Sequence, residues 1–268
     1  MEEESKLLRH VARAIRLSLQ DPYLNLQQLA VQLEALEDKT IQKQTGTLLR
    51  GVYQLQHMAA NLELYSRLSD RAYIGRLQRT ELTSFFAQLA SRAEDLLGYL
   101  PMELRSELPQ KRCYGNLDRY LTEQIFWNLL SNAAEAARDP VLFLTVRREG
   151  RFLILSMAER TDPLPPQILS DFFQRGRVPL EEALAQRGIG LGLSLIRMAA
   201  EVQGGAVIAS QDAQGRVTVT VSLDLTLPVV KEEGLEPEIL GGLNPDLAAM
   251  SSVLPPSFRM LITPCSIA

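Results

Sequence analysis

The stretch Asn128-Leu-Leu-Ser-Asn132-Ala133 decides how this chain is interpreted. It lies on a predicted helix over 117–138, where Asn128 and Asn132 are one turn apart and fall within or beside the apolar stripe. Asparagine is unfavourable inside a helix because its amide competes for backbone hydrogen bonds. Two inward carboxamides therefore need partners. A bound polar ligand, a hydrated Mg2+ ion or hydrogen bonds within the protein would each supply them.

A second stretch, Arg187-Gly188-Ile-Gly190-Leu-Gly192-Leu193, opens another predicted helix. Its glycines permit positive φ and close backbone approach, and free N–H groups at a helix start suit phosphate oxygens. A Walker loop is excluded, because no Gly-Lys-Ser/Thr ending follows the glycines. A dinucleotide fingerprint is also excluded, since Leu193 occupies its third glycine and a polar loop precedes the stretch.

The surrounding region predicts an α+β fold with one mixed sheet and helices on one face. The pattern gives helices over 83–97 and 193–203, and strands over 102–108, 141–147, 152–157 and 216–225. Gly204-Gly205 is the predicted C-cap of the second of these helices. Beyond residue 228 the chain is rich in Pro, Gly and Glu, which is typical of a linker and tail, although Asn244-Pro245-Asp246 could cap a short helix through 252.

Two long helices precede this region, over 6–36 and from about 40 to 69. Both carry apolar residues at three- and four-residue steps, and Pro22 should bend the first helix rather than end it. Joined by a short turn, they form a helical hairpin with an uncovered apolar seam. Two copies are expected to pair into a four-helix bundle, which makes a homodimer. Alternatively, the seam packs on the second domain of the same chain.

Together, the two opening stretches resemble the N box and the second glycine box of the histidine kinase, gyrase and heat-shock ATPase superfamily. The resemblance spans about 76–228 and implies a Bergerat-type α/β sandwich that binds ATP and Mg2+. It implies a flexible lid over 174–187, preceded by Phe172 or Phe173. The residues that it implies for nucleotide binding are Asn128, Asn132, Gly188, Gly190, Gly192 and, from a third box, Glu159, with Mg2+ held by Asn132 through ATP.

That third box, the first glycine box, departs from the family pattern. Glu159 stands where the family has the aspartate that accepts from the adenine amino group, and Thr161 and Pro163 stand where it has glycines. Neither replacement can follow a glycine backbone into positive φ. Loss of the adenine contact would cost about 1–3 kcal/mol, so weakened ATP binding is expected. Asp162 is either a substitute acceptor or an exposed turn residue.

The upstream region departs from the family as well. The stretch over 61–67 resembles the end of the second helix of a kinase dimerisation domain, whose first helix carries a phosphoacceptor histidine five residues before a proline. Aligning Pro22 with that proline places Leu17 at the acceptor position. The chain has two histidines, His10 and His57. Each is either a weak candidate acceptor or a surface or bundle residue.

The resemblance divides the chain into a dimerisation hairpin over 1–70, an ATP-binding domain over 71–228, and a linker and tail over 229–268. It implies two-component-type signalling by a pseudokinase, phosphorelay or scaffold protein that docks a response regulator or another partner. The alternative is an active ATP-binding histidine kinase or ATPase. A purely structural module is a third possibility, which the two intact boxes argue against, because a scaffold has no physical need for inward amides or three spaced glycines.

Composition excludes other classes of function. A net charge of -4 gives no nucleic-acid footprint. No apolar run approaches the roughly 18 residues of a membrane span. The N-terminal stretch is acidic, unlike a signal peptide. Cys113 and Cys265 have neither metal nor redox spacing, which together with these features predicts a cytoplasmic protein.

Overall fold

The computed structural model of the chain describes residues 2–34, 39–69, 73, 75–162, 190–229 and 244–255. They form two compact units, one made of 1–70 with 234–268 and the other of 71–233. Across the described helices, none combines the length and the apolar character needed to cross a bilayer.

The first unit is built on a hairpin of helix α1 (Glu2–Glu34) and helix α2 (Lys39–Ser69), with Pro22 inside α1. Their antiparallel register is set by polar contacts at three levels. Ser5 and Ser66 bond each other through side chains and carbonyls, and Gln56 donates to the Arg16 carbonyl over 3.2 Å. The hydroxyls of Tyr23 and Tyr53 lie 3.1 Å apart. The predicted helical hairpin is therefore confirmed, and its predicted turn at 37–39 lies almost wholly outside the described residues.

The last described helix of the chain, α6 (Pro245–Met250), belongs to the same unit and packs on α2. The helices numbered between them belong to the second unit. The Asn244 side chain caps it by accepting from the N–H groups of Asp246 and Leu247. The helix predicted from Asn244-Pro245-Asp246 is therefore confirmed.

The second unit is the α/β sandwich. In chain order its elements are β1 (Leu77–Glu81), α3 (Leu82–Leu97), β2 (Glu103–Glu107), β3 (Tyr114–Asp118), α4 (Arg119–Ala136), β4 (Val141–Glu149), β5 (Phe152–Arg160), α5 (Gly190–Val202), β6 (Ala206–Gln211) and β7 (Arg216–Asp224). Five strands form one mixed sheet in the order β2-β4-β5-β7-β6, in which β2 and β4 are parallel and the other pairs antiparallel. Strands β1 and β3 form a separate antiparallel pair. The predicted α+β class is confirmed.

One face of the large sheet carries the core. Alternate side chains of its central strands are buried, because successive residues of a strand point to opposite faces. The fully covered set includes Leu142, Leu144, Val146, Leu153, Leu155, Met157, Val221 and Leu223. Helices α3, α4 and α5 pack against strands β2, β5 and β6. Glu159 continues the alternation of Leu155 and Met157, so it lies on this covered face.

Candidate functional site

Helix α4 positions the two asparagines of the first motif. Asp118 caps the helix by accepting from the Leu121 N–H over 3.0 Å. Asn128 is 3% exposed, and its amide N–H donates to the Gln124 carbonyl over 2.8 Å. That bond uses one of the two amide N–H donors and leaves the side-chain oxygen for other contacts. Asn132 is half-buried, and among the described residues its carboxamide has no hydrogen-bond partner.

Helix α5 begins at Gly190 and brings Gly192 against both asparagines. A Cβ atom added at Gly192 would lie 2.8 Å from Asn128 Oδ1 and 3.7 Å from Asn132 Oδ1. The two carboxamide oxygens therefore converge on the first turn of α5, where backbone N–H groups have no partner within the helix. Glycine at 192 is what permits this approach. The two motifs that were separate in sequence lie side by side in the structure.

A buried polar bridge joins the start of α4 to the end of α5. The Gln203 side-chain oxygen accepts from the Asp118 N–H over 2.9 Å and from the Thr122 hydroxyl over 3.3 Å, and Gln203 is 0% exposed. The Asp118 carboxylate also accepts from the Tyr73 hydroxyl over 2.9 Å and from the Arg76 N–H over 2.8 Å. These residues were not predicted from the sequence, although an aspartate that follows a strand and opens a helix is a recognisable cap.

Glu159 places a carboxyl group on the covered face of β5. It is 6% exposed, and burial raises its pKa from 4.5 to about 7. The group therefore carries its proton in about half of the molecules at neutral pH, and it can donate as well as accept a hydrogen bond.

The residues after Glu159 extend the ladder rather than turning away. The Thr161 N–H donates to the Gly215 carbonyl over 3.1 Å, which continues the pairing of β5 with β7. Asp162 is exposed and pairs with Arg138. These contacts favour the exposed-turn interpretation of Asp162 over a substitute acceptor. Pro163 lies outside the described residues.

Residues 118–227 match the family described as histidine kinase-, DNA gyrase B-, and HSP90-like ATPase. The chain is 23% identical to the adaptive-response sensory kinase SasA of Prochlorococcus marinus over 246 residues, which is 90% of this chain and 62% of the relative. It is 28% identical to the sensor protein KdpD of Escherichia coli over 185 residues, or 66% of this chain and 20% of KdpD. This chain thus spans only part of these relatives.

The solved structure of full-length ShkA in complex with AMPPNP superposes with a TM-score of 0.60 at 17% identity, covering 84% of this chain and 47% of ShkA. That likeness concerns the fold. Residues 118–227, about two fifths of the chain, thus form a domain of the histidine kinase-type ATPase family.

The stretch that resembles the N box lies on α4, and the end of the stretch that resembles the second glycine box lies at the start of α5. The structure brings Asn128, Asn132 and Gly192 together, with Glu159 on the covered face of a neighbouring strand. Gly190 is the first residue of α5. Gly188, the predicted lid over 174–187, and Phe172 and Phe173 lie outside the described residues.

Leu17, which the sequence alignment on Pro22 predicts at the phosphoacceptor position, lies on α1 and is 56% exposed. His10 is also exposed on α1, where its Nδ1–H donates to the Lys6 carbonyl over 2.7 Å and leaves Nε2 with its lone pair. His57 is half-buried on α2, and its Nε2 accepts from the Asn61 amide over 3.0 Å. Burial lowers the pKa of His57 to about 4. Of the two candidates, His10 has the more accessible ring.

Proposed function

We propose that this chain is a two-component-type signalling protein that binds ATP between α4 and α5 but has lost autophosphorylation at the family position. It acts as a pseudokinase, as a phosphorelay partner through a residue other than Leu17, or as a scaffold. The observation that carries the proposal is the convergence of Asn128 Oδ1 and Asn132 Oδ1 on Gly192.

Asn132 is the more informative of the two asparagines. Packing alone accounts for Asn128, because its amide N–H bonds the Gln124 carbonyl and its oxygen lies against Gly192. Packing does not account for Asn132, whose half-buried carboxamide has no hydrogen-bond partner among the described residues. In the free chain water satisfies this carboxamide, because its polar atoms are not sealed from solvent, and a ligand would take the place of that water.

The donor set fits a nucleotide-bound Mg2+ ion. Carboxamide oxygens are among the ligands that Mg2+ accepts, and this ion commonly binds through a few protein oxygens together with substrate phosphates. Asn132 would hold the ion, and the N–H groups at the start of α5 would face phosphate oxygens. The ion would supply positive charge against the phosphates. ShkA, solved with AMPPNP, supports an adenine nucleotide as the ligand of this fold.

Calorimetric titration of the full chain with Mg-ATP tests nucleotide binding. We expect Asn132→Ala to weaken binding at least about tenfold, which corresponds to about 1.4 kcal/mol. Asn116→Ala is a matched control, since the Asn116 amide donates to the Leu227 carbonyl within the same domain and faces no proposed ligand. No heat of binding to the unaltered chain, or equal binding by Asn132→Ala, would refute the proposal.

Loss of autophosphorylation follows from Leu17, because an alkyl side chain has no lone pair to attack a phosphoryl group. Incubation with ATP labelled on the γ-phosphate should therefore leave no acid-labile label on the chain. Label that appears and then disappears in His10→Gln would instead support the alternative, an active histidine kinase that uses a different acceptor.

A homodimer and a response regulator remain the proposed partners. On α2, the exposed residues Leu48, Leu55 and Met58 recur at steps of seven and three and so share one helix face. An apolar stripe of this period fits a second copy of the same hairpin. Sedimentation velocity measures the mass of the particle and decides whether two copies pair. The cytoplasm remains the proposed compartment.

A further inference from the structure

The surface of helix α2 has three sides with different surroundings. One side packs on α1, where Tyr53 contacts Tyr23 and Gln56 bonds the Arg16 carbonyl. A second side carries the exposed apolar stripe of Leu48, Leu55 and Met58. A third side, which includes Arg50 and Gln54, contacts residues 244–255, and this segment is called the strap.

The strap contacts α2 through both apolar side chains and hydrogen bonds. Its side chains Leu247, Ala248, Met250 and Leu254 are 0–4% exposed. Gln54 donates to the Ser251 carbonyl over 3.2 Å, and Arg50 donates to the Leu254 carbonyl over 3.5 Å. The Ser251 carbonyl lies at the C-cap of α6, where the helix itself offers no partner, and the Leu254 carbonyl lies beyond the helix. Asn244 satisfies the opposite end. Helix α2 therefore completes the hydrogen bonding of the strap.

The strap lies at the level of the stretch that resembles the acceptor region of kinases. Gln56 bonds Arg16, the residue before Leu17, and Tyr53 contacts Tyr23, the residue after Pro22. The α2 turns from Arg50 to Gln56 thus run beside the α1 stretch 17–22. Whatever covers these turns flanks that stretch.

We propose that the strap is a built-in occupant of a helix-docking surface on α2, which it closes to a second protein. The surface accepts a short apolar helix with small residues, because the strap fills it with Leu247, Ala248, Ala249 and Met250. A partner that presents a helix of this kind competes with the strap. This regulatory role rests on the proposed partner-binding function, whereas occupancy of the surface does not depend on nucleotide binding.

The experiment uses the full chain in two forms, unaltered and with Leu247→Asp plus Met250→Asp. Two carboxylates in a buried apolar contact should release the strap. A fluorescent peptide with the sequence of residues 244–255 is then titrated into each form, and its anisotropy is measured. We expect at least tenfold tighter binding to the substituted chain, because its surface is vacant while the unaltered chain fills its own. Equal binding to both forms, or to neither, would overturn the proposal.

Two further variants localise the peptide. Gln54→Ala, added to the substituted chain, removes the donor to Ser251 and should weaken peptide binding severalfold. Leu55→Asp lies on the exposed stripe and should leave peptide binding unchanged, while it reduces the particle mass if two copies pair there. Equal weakening by both changes would contradict binding at the strap surface. A rise in particle mass of the substituted chain without peptide binding would show that second copies fill the surface, and it would also overturn the proposal.

Hydrogen exchange provides a measurement without added peptide. The Leu254 N–H donates to the Met250 carbonyl over 3.0 Å, and the Ala248 N–H donates to the Asn244 carbonyl over 3.1 Å. In the unaltered chain both amides should exchange at least tenfold more slowly than in the substituted chain. Equal exchange rates would mean that the strap is not held on α2. Failure of Mg-ATP binding would leave all of these results unaffected, so the two proposals fail separately.

Discussion

The hairpin and the ATPase domain differ in how tightly the residues of their family-like motifs are packed. On the hairpin, Leu17 at the predicted acceptor position is 56% exposed, and Gly51 of α2 has no neighbour within 4 Å of an added Cβ atom. In the domain, Asn128 is 3% exposed, and a Cβ atom at Gly192 would meet its oxygen at 2.8 Å. An exposed catalytic residue can be replaced without disturbing packing. A motif that also joins two helices cannot.

Because of this difference, an intact motif does not by itself indicate ligand binding. From sequence, the two boxes argued against a purely structural module, because a scaffold was expected to need neither inward amides nor spaced glycines. That argument is wrong for Asn128 and Gly192, whose contact is part of the packing of α4 on α5. Asn132 therefore separates a nucleotide-binding protein from a scaffold better than the rest of the motif does.

The largest effect that we expect concerns Glu159 and the stability of the ATPase domain. Below pH 4.5 both the folded and the unfolded chain hold the proton of this carboxyl. Between 4.5 and about 7 only the folded chain keeps it, so rising pH favours unfolding. Above about 7 both states are ionised and the loss is complete. The free energy of unfolding should fall by about 2–3 kcal/mol between about pH 5 and about pH 8 from this group alone.

Urea unfolding measures this effect within one unit, because Trp127 is the only tryptophan of the chain and lies in α4. Its fluorescence therefore follows the domain rather than the hairpin. Glu159→Gln has no proton to lose and should remove this part of the pH dependence, raising stability at about pH 8. A chain with Glu159→Gln that keeps the full slope would show that the carboxyl is not held in a low-dielectric site.

A pair of glycine substitutions sharpens the comparison directly. Gly192→Ala places a methyl group 2.8 Å from Asn128 Oδ1, and we expect a loss of about 1–3 kcal/mol in the free energy of unfolding. Gly51→Ala is the matched control in α2, where the added methyl meets nothing within 4 Å. It should stabilise the helix by about 0.5–1 kcal/mol. Urea unfolding followed by circular dichroism measures both.

The two substitutions are expected to change the free energy of unfolding in opposite directions. Similar losses from both substitutions would mean that helix geometry, rather than the contact with Asn128, makes Gly192 necessary. Mg-ATP titration of Gly192→Ala adds a second measurement, and binding should weaken because α5 can no longer approach α4 as closely. Unchanged stability together with unchanged binding would remove the contrast between the two units.

Sequence predicted the elements whose side chains follow a strong period. The hairpin, α4 and β7 are examples, because each sets apolar residues at helix or strand spacing. Strand β6 was not predicted, because its larger apolar side chains are not the buried ones. Ile208 is 52% exposed, whereas the smaller Ala209 is 3% exposed. Strands β1 and β3 were missed because both are short and largely polar and pair only with each other.

The residue types of the candidate site were predicted from the sequence, but the pKa of its carboxyl group and its buried hydrogen bonds were not. Spacing predicted that Asn128 and Asn132 share an inward face, and the superfamily resemblance connected them to the glycines. Nothing in the sequence gives the pKa of Glu159, because desolvation depends on what packs over β5. The Gln203 bridge was also beyond reach, since it joins residues 85 positions apart. Docking of the strap on α2 could not be predicted either, because it depends on tertiary contacts. The Asn244 cap of α6, in contrast, was predicted from the sequence.

The smallest expected effect is a pH dependence of opposite sign in the hairpin. In the unfolded chain His57 binds a proton near pH 6.5, whereas in the folded chain it does so only near pH 4, so falling pH through this window favours unfolding. The site is half-buried, and partial access to solvent reduces the effect to on the order of 1 kcal/mol. His57→Gln should remove this acid-side loss, which circular dichroism during urea unfolding would detect. His10→Gln, an exposed change of the same type on α1, should leave the loss in place. If both substitutions removed it equally, burial of His57 would not be its cause, and the hairpin would no longer contrast with the domain in its response to pH.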